Sequence, residues 1–269
     1  MPSANKIRVG IGGWVYPPWR GVFYPPGLPQ ARELAHASRQ VTAIEINGTF
    51  YGAQKPASFR RWYDETPEDF VFSVKGPRFA THRSDLATAG SSIERFFASG
   101  VRELRDKLGP ILWQFAPRTA FDETGFASFL ELLPHNLEGR EIRHVVEVRH
   151  KSFATVSFGE LLRRHRVVVA LVDDGLFSAP EDSPGDFIYA RLRRCAEEEP
   201  TGYSADALDG WADRFRGQAE RRDCFVYFIN GAKVRAPAAA QAFLERLTQS
   251  GTSNKLCASP ARNGGSRAT

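Results

Sequence analysis

The sequence predicts a single α/β domain folded as a TIM-like (β/α)8 barrel, and three observations carry that prediction. Eight apolar runs of strand length recur along the chain, helical patterns fill most of the gaps, and polar residues stand at the ends of nearly all eight runs. Strands alternating with helices pair in parallel through right-handed crossovers. Runs rich in Val, Ile and Phe suit strands buried on both faces. An open doubly wound sheet would gather its polar residues at one switch point, so their spread over eight ends favours a closed barrel. The length of 269 residues also suits one barrel of about 250 residues.

In chain order the expected strands are 7–12, 43–47, 70–75, 111–115, 144–149, 167–173, 187–192 and 224–230. The helical patterns between them are 31–39, 56–64, 92–108, 123–133, 158–165, 204–220 and 237–247. Pro56 opens the second helix, where its missing N–H costs little. Ile93, Phe96, Phe97, Val101, Leu104 and Leu108 recur at helical spacing in the third. Ser204 is an expected N-cap. The sixth connection, 174–186, carries two prolines and little periodicity, so a loop is expected to replace helix six. Residues 1–6 read as a flexible N-terminus, 7–248 as the barrel domain and 249–269 as a disordered polar tail.

Composition narrows the function classes. Cys195, Cys224 and Cys257 lack the count and spacing of a disulfide framework, which fits a reducing compartment. The N-terminus has no apolar signal segment, and no run reaches the roughly 20 apolar residues of a membrane helix. The expectation is a cytoplasmic protein without a membrane partner. The formal charge of +5 permits anionic partners, from a small anionic or sugar-like ligand to nucleic acid.

Parity within the strands selects the candidate site. Residues two apart in a strand share a face. Glu45 and Asn47 therefore point together, as do Glu147 and Arg149, while Val146 and Val148 point the other way, to the helices. Strand three ends at Lys75, strand four carries Gln114, strand six ends at Asp173, strand seven holds Arg191 and strand eight ends at Asn230. His82 follows strand three in its loop, and Trp14, Tyr16, Trp19, Phe50 and Tyr51 form an aromatic group near the same mouth. A buried carboxylate needs a partner, and Lys75, Arg149 and Arg191 are the available cations. The catalytic candidates are Glu147, Glu45 and Lys75. The ligand-binding candidates are Trp14, Asn47, Tyr51, His82, Gln114, Arg149, Asp173, Arg191 and Asn230. A structural ion-pair network is the bland alternative for any one of them.

Other signals are weaker. Gly10, Gly12 and Gly13 begin a dinucleotide fingerprint, but Val15 stands where its third glycine belongs and Trp14 is too large for a close pyrophosphate. Only His82 and His150 fall near strand ends, which argues against an imidazole-rich zinc site. A hard divalent ion on Glu45, Glu147 and Asp173 is the metal alternative. It is not favoured, because those carboxylates lie amid basic residues, and the cofactor is left unassigned.

Several segments together resemble one family: GIGGWVYPPWRGVFYP at 10–25, EINGTFYG at 45–52, FSVKGPRFATH at 72–82, GPILWQFAP at 109–117, HVVEVRHKSF at 144–153, TGYSADALDGWA at 201–212 and YFIN at 227–230. In these the chain resembles the domain-of-unknown-function family 72, the YecE-like proteins. The resemblance covers about 7–247 and implies a TIM-barrel-like fold, but no activity that could be inherited. Barrels of similar build include sugar isomerases and metal-dependent abasic-site nucleases, an analogy of fold alone. The chain departs from the family pattern where Arg193 and Arg194 replace a His-Gly pair after strand seven, and where Ile229 replaces the first of two asparagines. The added arginines suit an anionic ligand. Three readings follow: an enzyme acting on a small polar or phosphorylated, sugar-like substrate; a nucleic-acid-binding protein, with or without nuclease activity; or a non-catalytic barrel scaffold.

Overall fold

The computed structural model describes residues 6–173 and 185–253. Its strands are Ile7–Gly12, Ala43–Ile46, Val71–Lys75, Leu108–Gln114 and His144–Glu147, numbered one to five. Strand six comes in two pieces, Val167–Val169 and Leu171–Val172, followed by Phe187–Leu192 and Asp223–Phe228 as strands seven and eight. Every pairing in this sheet is parallel, and neighbours in sequence are neighbours in space. The first piece of strand six pairs with strand five and the second with strand seven. The two ends of the sheet are thus one chain segment, and this closes the barrel. Ala170, between the pieces, donates its N–H to Val146 O at 2.8 Å and so stays tied to strand five.

Strand parity divides the core in two. Ala43, Leu112, Val145, Val168, Ala170, Tyr189, Phe225 and Tyr227 pack together inside the barrel. Val146, Val148 and their outward counterparts pack in the layer shared with the helices. Gly10 belongs to the inner face: a Cβ there would lie 2.3 Å from Ala43 O and 2.9 Å from the Tyr227 ring. The glycine makes room for the large tyrosine, the alternation of small and large side chains that a narrow barrel requires.

The helices start where local chemistry allows. Pro56 opens Pro56–Glu65. Asp122, Thr155 and Ser204 cap Glu123–Glu131, Val156–Arg164 and Ala205–Ala219 by accepting from the backbone N–H groups of Gly125, Phe158 and Ala207. The expected helix 92–108 is instead Gly90–Ala98 followed by 3-10 turns over Val101–Lys107 that kink at Arg105, φ 48°. Gly100 breaks it with φ at 111°, and a Cβ there would sit 2.6 Å from Pro56 Cα. A short hairpin, Asn136–Leu137 with Arg140–Glu141, turns through Glu138 and Gly139, both at positive φ. The expected helix 31–39 shortens to a 3-10 turn and Glu33–Ala37. The last helix, Ala236–Ser253, runs past its expected end and into the segment read as a tail. Lys6 is tied to strand eight, its N–H donating to Asp223 Oδ1 at 3.0 Å. Residues 1–5, most of the expected sixth loop (174–184), and 254–269 with Cys257 lie outside the described residues. Cys195 and Cys224 are free and buried. Among the described residues no helix is long and apolar enough to cross a membrane.

Candidate functional site

The inward positions change character along the barrel axis. The middle ones are mostly apolar, with Ser73 hydrogen-bonded to the Tyr227 OH at 2.6 Å; near the C-terminal strand ends they become Glu45, Lys75, Gln114, Glu147 and Arg191, all buried. Arg191 is the hub and is 2% exposed. It grips Glu45 bidentately, Nε to Oε2 at 3.0 Å and Nη2 to Oε1 at 3.1 Å. Its Nη1 reaches across the barrel to Glu147 Oε2. Tyr189, two residues before Arg191 and on the same face, donates its OH to Glu45 Oε2 at 2.7 Å.

Glu147 is enclosed by donors. Besides Arg191, its Oε1 accepts from Gln114 Nε2 at 2.9 Å and from Arg149 Nε at 2.7 Å, and Arg193 Nη1 stands 3.7 Å away. Burial alone would raise its pKa; Arg191 and then Arg149 outweigh that and hold the carboxyl at about 2. Charged partners that satisfy every oxygen make this glutamate a fixed negative charge.

Lys75 is placed differently. It is 6% exposed, and its Nζ donates to the neutral Gln114 Oε1 at 2.7 Å while sitting 4.0 Å above the Phe50 ring. Thr49 donates its hydroxyl to Lys75 O at 2.6 Å and pins the backbone. Burial, then the neighbouring Arg191, lowers the lysine's pKa to about 8, against the opposing pull of Glu45 and Glu147.

Above this layer opens a cavity of about 310 Å3. Among the described residues four cations line it, Lys75, Arg149, Arg191 and Lys233, and no Asp or Glu does. Asn47, Gln114 and Asn230 supply uncharged polar groups, and Tyr51, 66% exposed, stands at its edge. Lys233 stacks on Tyr16 at 4.6 Å, and its carbonyl accepts from Trp19 Nε1 at 2.9 Å. Asn230 and Gly231 turn the chain at φ 65° and 56°, and the helix starting at Ala236 begins on the cavity wall.

The remaining candidates lie elsewhere. Trp14 packs edge-on against Trp62 and Phe72 at 5.1 and 6.3 Å, in the outer layer. Asp173 accepts from Tyr203 OH and from the Arg193 N–H, both at 2.6 Å. His82 is exposed at the rim, edge-on to Phe50 at 5.3 Å. Its pKa is lowered, first by desolvation and then by Arg118, Lys75, Arg149 and Arg78. The metal alternative does not fit the donor set: Arg191 bridges Glu45 and Glu147 where a cation would sit, and Asp173 bonds elsewhere. Among the described residues no group of three or more His, Cys, Asp or Glu could hold a metal ion.

Two residues of the site escaped the sequence reading. Tyr189 shares its face with Arg191, so parity could have found it. Lys233 could not be found that way, because it lies beyond strand eight and reaches the mouth only through the turn at Asn230 and Gly231. A larger cavity, about 590 Å3, opens at the opposite end of the barrel. There Lys6, Arg8 and Arg143 are matched by Asp106, Glu141 and Asp223, with Arg143 and Asp223 paired at 2.8 Å. Barrel enzymes keep their chemistry at the C-terminal face, and among the described lining residues of the two cavities the charges balance at the opposite end but not at that one.

Comparison with known proteins agrees with this architecture. The family model described as protein of unknown function DUF72 matches residues 8–263. The protein YunF of Bacillus subtilis is 28% identical over 233 residues, 83% of this chain and 79% of YunF. YecE of Escherichia coli is also 28% identical, over 151 residues; that match covers 55% of this chain and 50% of YecE, about half its length. A crystal structure of a DUF72 family protein from Thermotoga maritima superposes with a TM-score of 0.73 at 23% identity, covering 91% of this chain and 100% of that one.

Proposed function

We propose, for a chain that belongs to the DUF72 family of proteins of unknown function, that the barrel mouth is an enzyme site for a small anionic, sugar-like molecule such as a phosphorylated one. The observation that carries this reading is the cavity wall, with Lys75, Arg149, Arg191 and Lys233 facing one space and, among the described residues, no carboxylate in its lining. Concentrated positive charge in a partly desolvated pocket favours an anion strongly. A volume of about 310 Å3 suits one small molecule rather than a strand of nucleic acid. Asn47, Gln114 and Asn230 suit hydroxyl groups on such a ligand.

The roles divide by charge behaviour. Glu147, with its pKa near 2, is a poor proton donor or acceptor at neutral pH and serves to hold Arg191 and Arg149. Glu45 does the same for Arg191 from the other side. Lys75, with a pKa near 8, is the group in the layer suited to changing its charge during a reaction.

A thermal-shift series at low ionic strength tests this with inorganic phosphate and a panel of sugar phosphates. A ligand at about 100 times its Kd adds roughly 2.7 kcal/mol and raises Tm by several degrees. The expected result is such a rise in the wild type and a much smaller one in Lys233→Gln. A flat response to the whole panel, or an equal one in Lys233→Gln, refutes the reading.

A further inference from the structure

We infer that Lys75 is an amine nucleophile that forms an imine with the carbonyl carbon of an anionic carbonyl compound held in the barrel mouth. The inference rests on the anion-binding reading of the cavity and assigns a chemical class to its ligand.

The geometry that carries it is a buried amine with no ion pair among the described residues, lining a cavity. Two carboxylates lie in the same polar layer, yet Arg191 takes Glu45, and Arg191 and Arg149 take Glu147. Among the described residues Lys75 forms no ion pair; its hydrogen bond goes to the neutral Gln114 Oε1. The amide of Gln114 is locked, because its Nε2 donates to Glu147 and its oxygen must therefore face Lys75. A lysine that served only as a fixed positive charge gains from a carboxylate partner, and among the described residues this one has none in hydrogen-bond or ion-pair contact. Burial and cationic neighbours both favour the free amine, the form with a lone pair to attack a carbonyl. The groups acting on Lys75 are Arg191 on strand seven, Glu45 on strand two, and Glu147 and Arg149 on and after strand five. Their balance leaves about half of it unprotonated near pH 8. Lys75 also lines the cavity, so a ligand anion held by Arg149 and Lys233 brings its carbonyl to the amine.

The step balances without a redox partner. The Nζ lone pair forms the C–N bond as the C=O π pair moves onto oxygen. The nitrogen gives up its protons to solvent, the oxygen takes two and leaves as water, and the products are imine plus water. The protonated imine then draws electrons from the neighbouring carbon.

Reductive trapping tests this on the full chain. The protein is incubated with glyceraldehyde 3-phosphate or with neutral glyceraldehyde in the presence of cyanoborohydride, and the adducts are mapped by mass spectrometry. The expected result is one dominant adduct on Lys75, formed about tenfold or more faster than on a lysine of ordinary pKa near 10.4, because a pKa of about 8 leaves a larger free-amine fraction. With the phosphorylated aldehyde the rate saturates, inorganic phosphate slows it, and it climbs as pH rises through about 8. Lys75→Arg loses the adduct. Adducts spread over the lysines without preference for Lys75 overturn the inference, even if phosphate still raises Tm, in which case the anion-binding reading stands alone. Preferential labelling of Lys75 by neutral glyceraldehyde, with no effect of phosphate, supports the amine and removes the anion site instead.

Discussion

Lys75 and Arg191 are neighbouring buried cations with opposite fates. Arg191 has a planar fork that matches two carboxylates, and Glu147 and Glu45 hold it charged against the cost of burial. Removing one member of such a buried pair costs about 3–5 kcal/mol, mostly because the other charge is stranded. Lys75 is left with an amide and a ring, and its pKa falls to about 8. In the unfolded chain a lysine titrates near 10.4. Between about 8 and 10.4 the unfolded chain therefore carries the extra proton, and stability rises with pH across that window. Below about pH 8 both states are protonated and the full cost of the buried charge is present. The unfolding free energy from urea titration should accordingly rise from pH 8 to 10.4 in the wild type relative to Lys75→Met, by up to about 3 kcal/mol. Parallel profiles for the two proteins would mean that Lys75 titrates as an ordinary lysine. Parity identified Glu45 and Glu147 as facing one side of their strands, with Arg191 one of three candidate partners. Which cation would claim which carboxylate was not legible, because parity names a face and says nothing about reach across the barrel.

Among the elements, strand one is the most constrained by its neighbours. Gly10 looks like half of a phosphate-binding fingerprint in the sequence, yet its structural task is to admit the Tyr227 ring and the backbone of strand two. Gly10→Ala should destabilise the fold by about 1–3 kcal/mol through overpacking, read as a lower denaturant midpoint. An unchanged midpoint would mean that the two strands can part without cost. The kinked helix after strand three makes a related point. The apolar spacing from Ile93 to Leu108 is continuous in the sequence, but Gly100 reverses the chain because Pro56 occupies the space beside it. Helical periodicity reports which residues are buried, and a 3-10 turn after a break can bury the same ones. The hairpin through Glu138 and Gly139 is too short for a two-residue alternation to register.

At the scale of the whole molecule, closure depends on strand six. Its two short pieces are the ends of the sheet's hydrogen-bonded order, and the Ala170 N–H joins their midpoint to Val146 O. Ala170→Pro removes that donor and leaves a buried acceptor unpaired, a cost of about 1–3 kcal/mol before any strain from the ring. The expected outcome is a lower denaturation midpoint and faster amide exchange on strands five and seven. Protection unchanged on both strands would show that closure does not pass through this residue. The sequence by itself determined the eight strands, their parallel order and the polar character of one barrel end, because those follow from runs and parity of apolar residues, which are local. Only the tertiary structure decided that Arg191 takes both glutamates, that Lys75 is left without an ion pair among the described residues, that Trp14 and Asp173 turn away from the cavity, and that Lys233 enters it. Those outcomes depend on distances across a closed barrel and on the course of a turn, where residues far apart in the chain compete for the same partner.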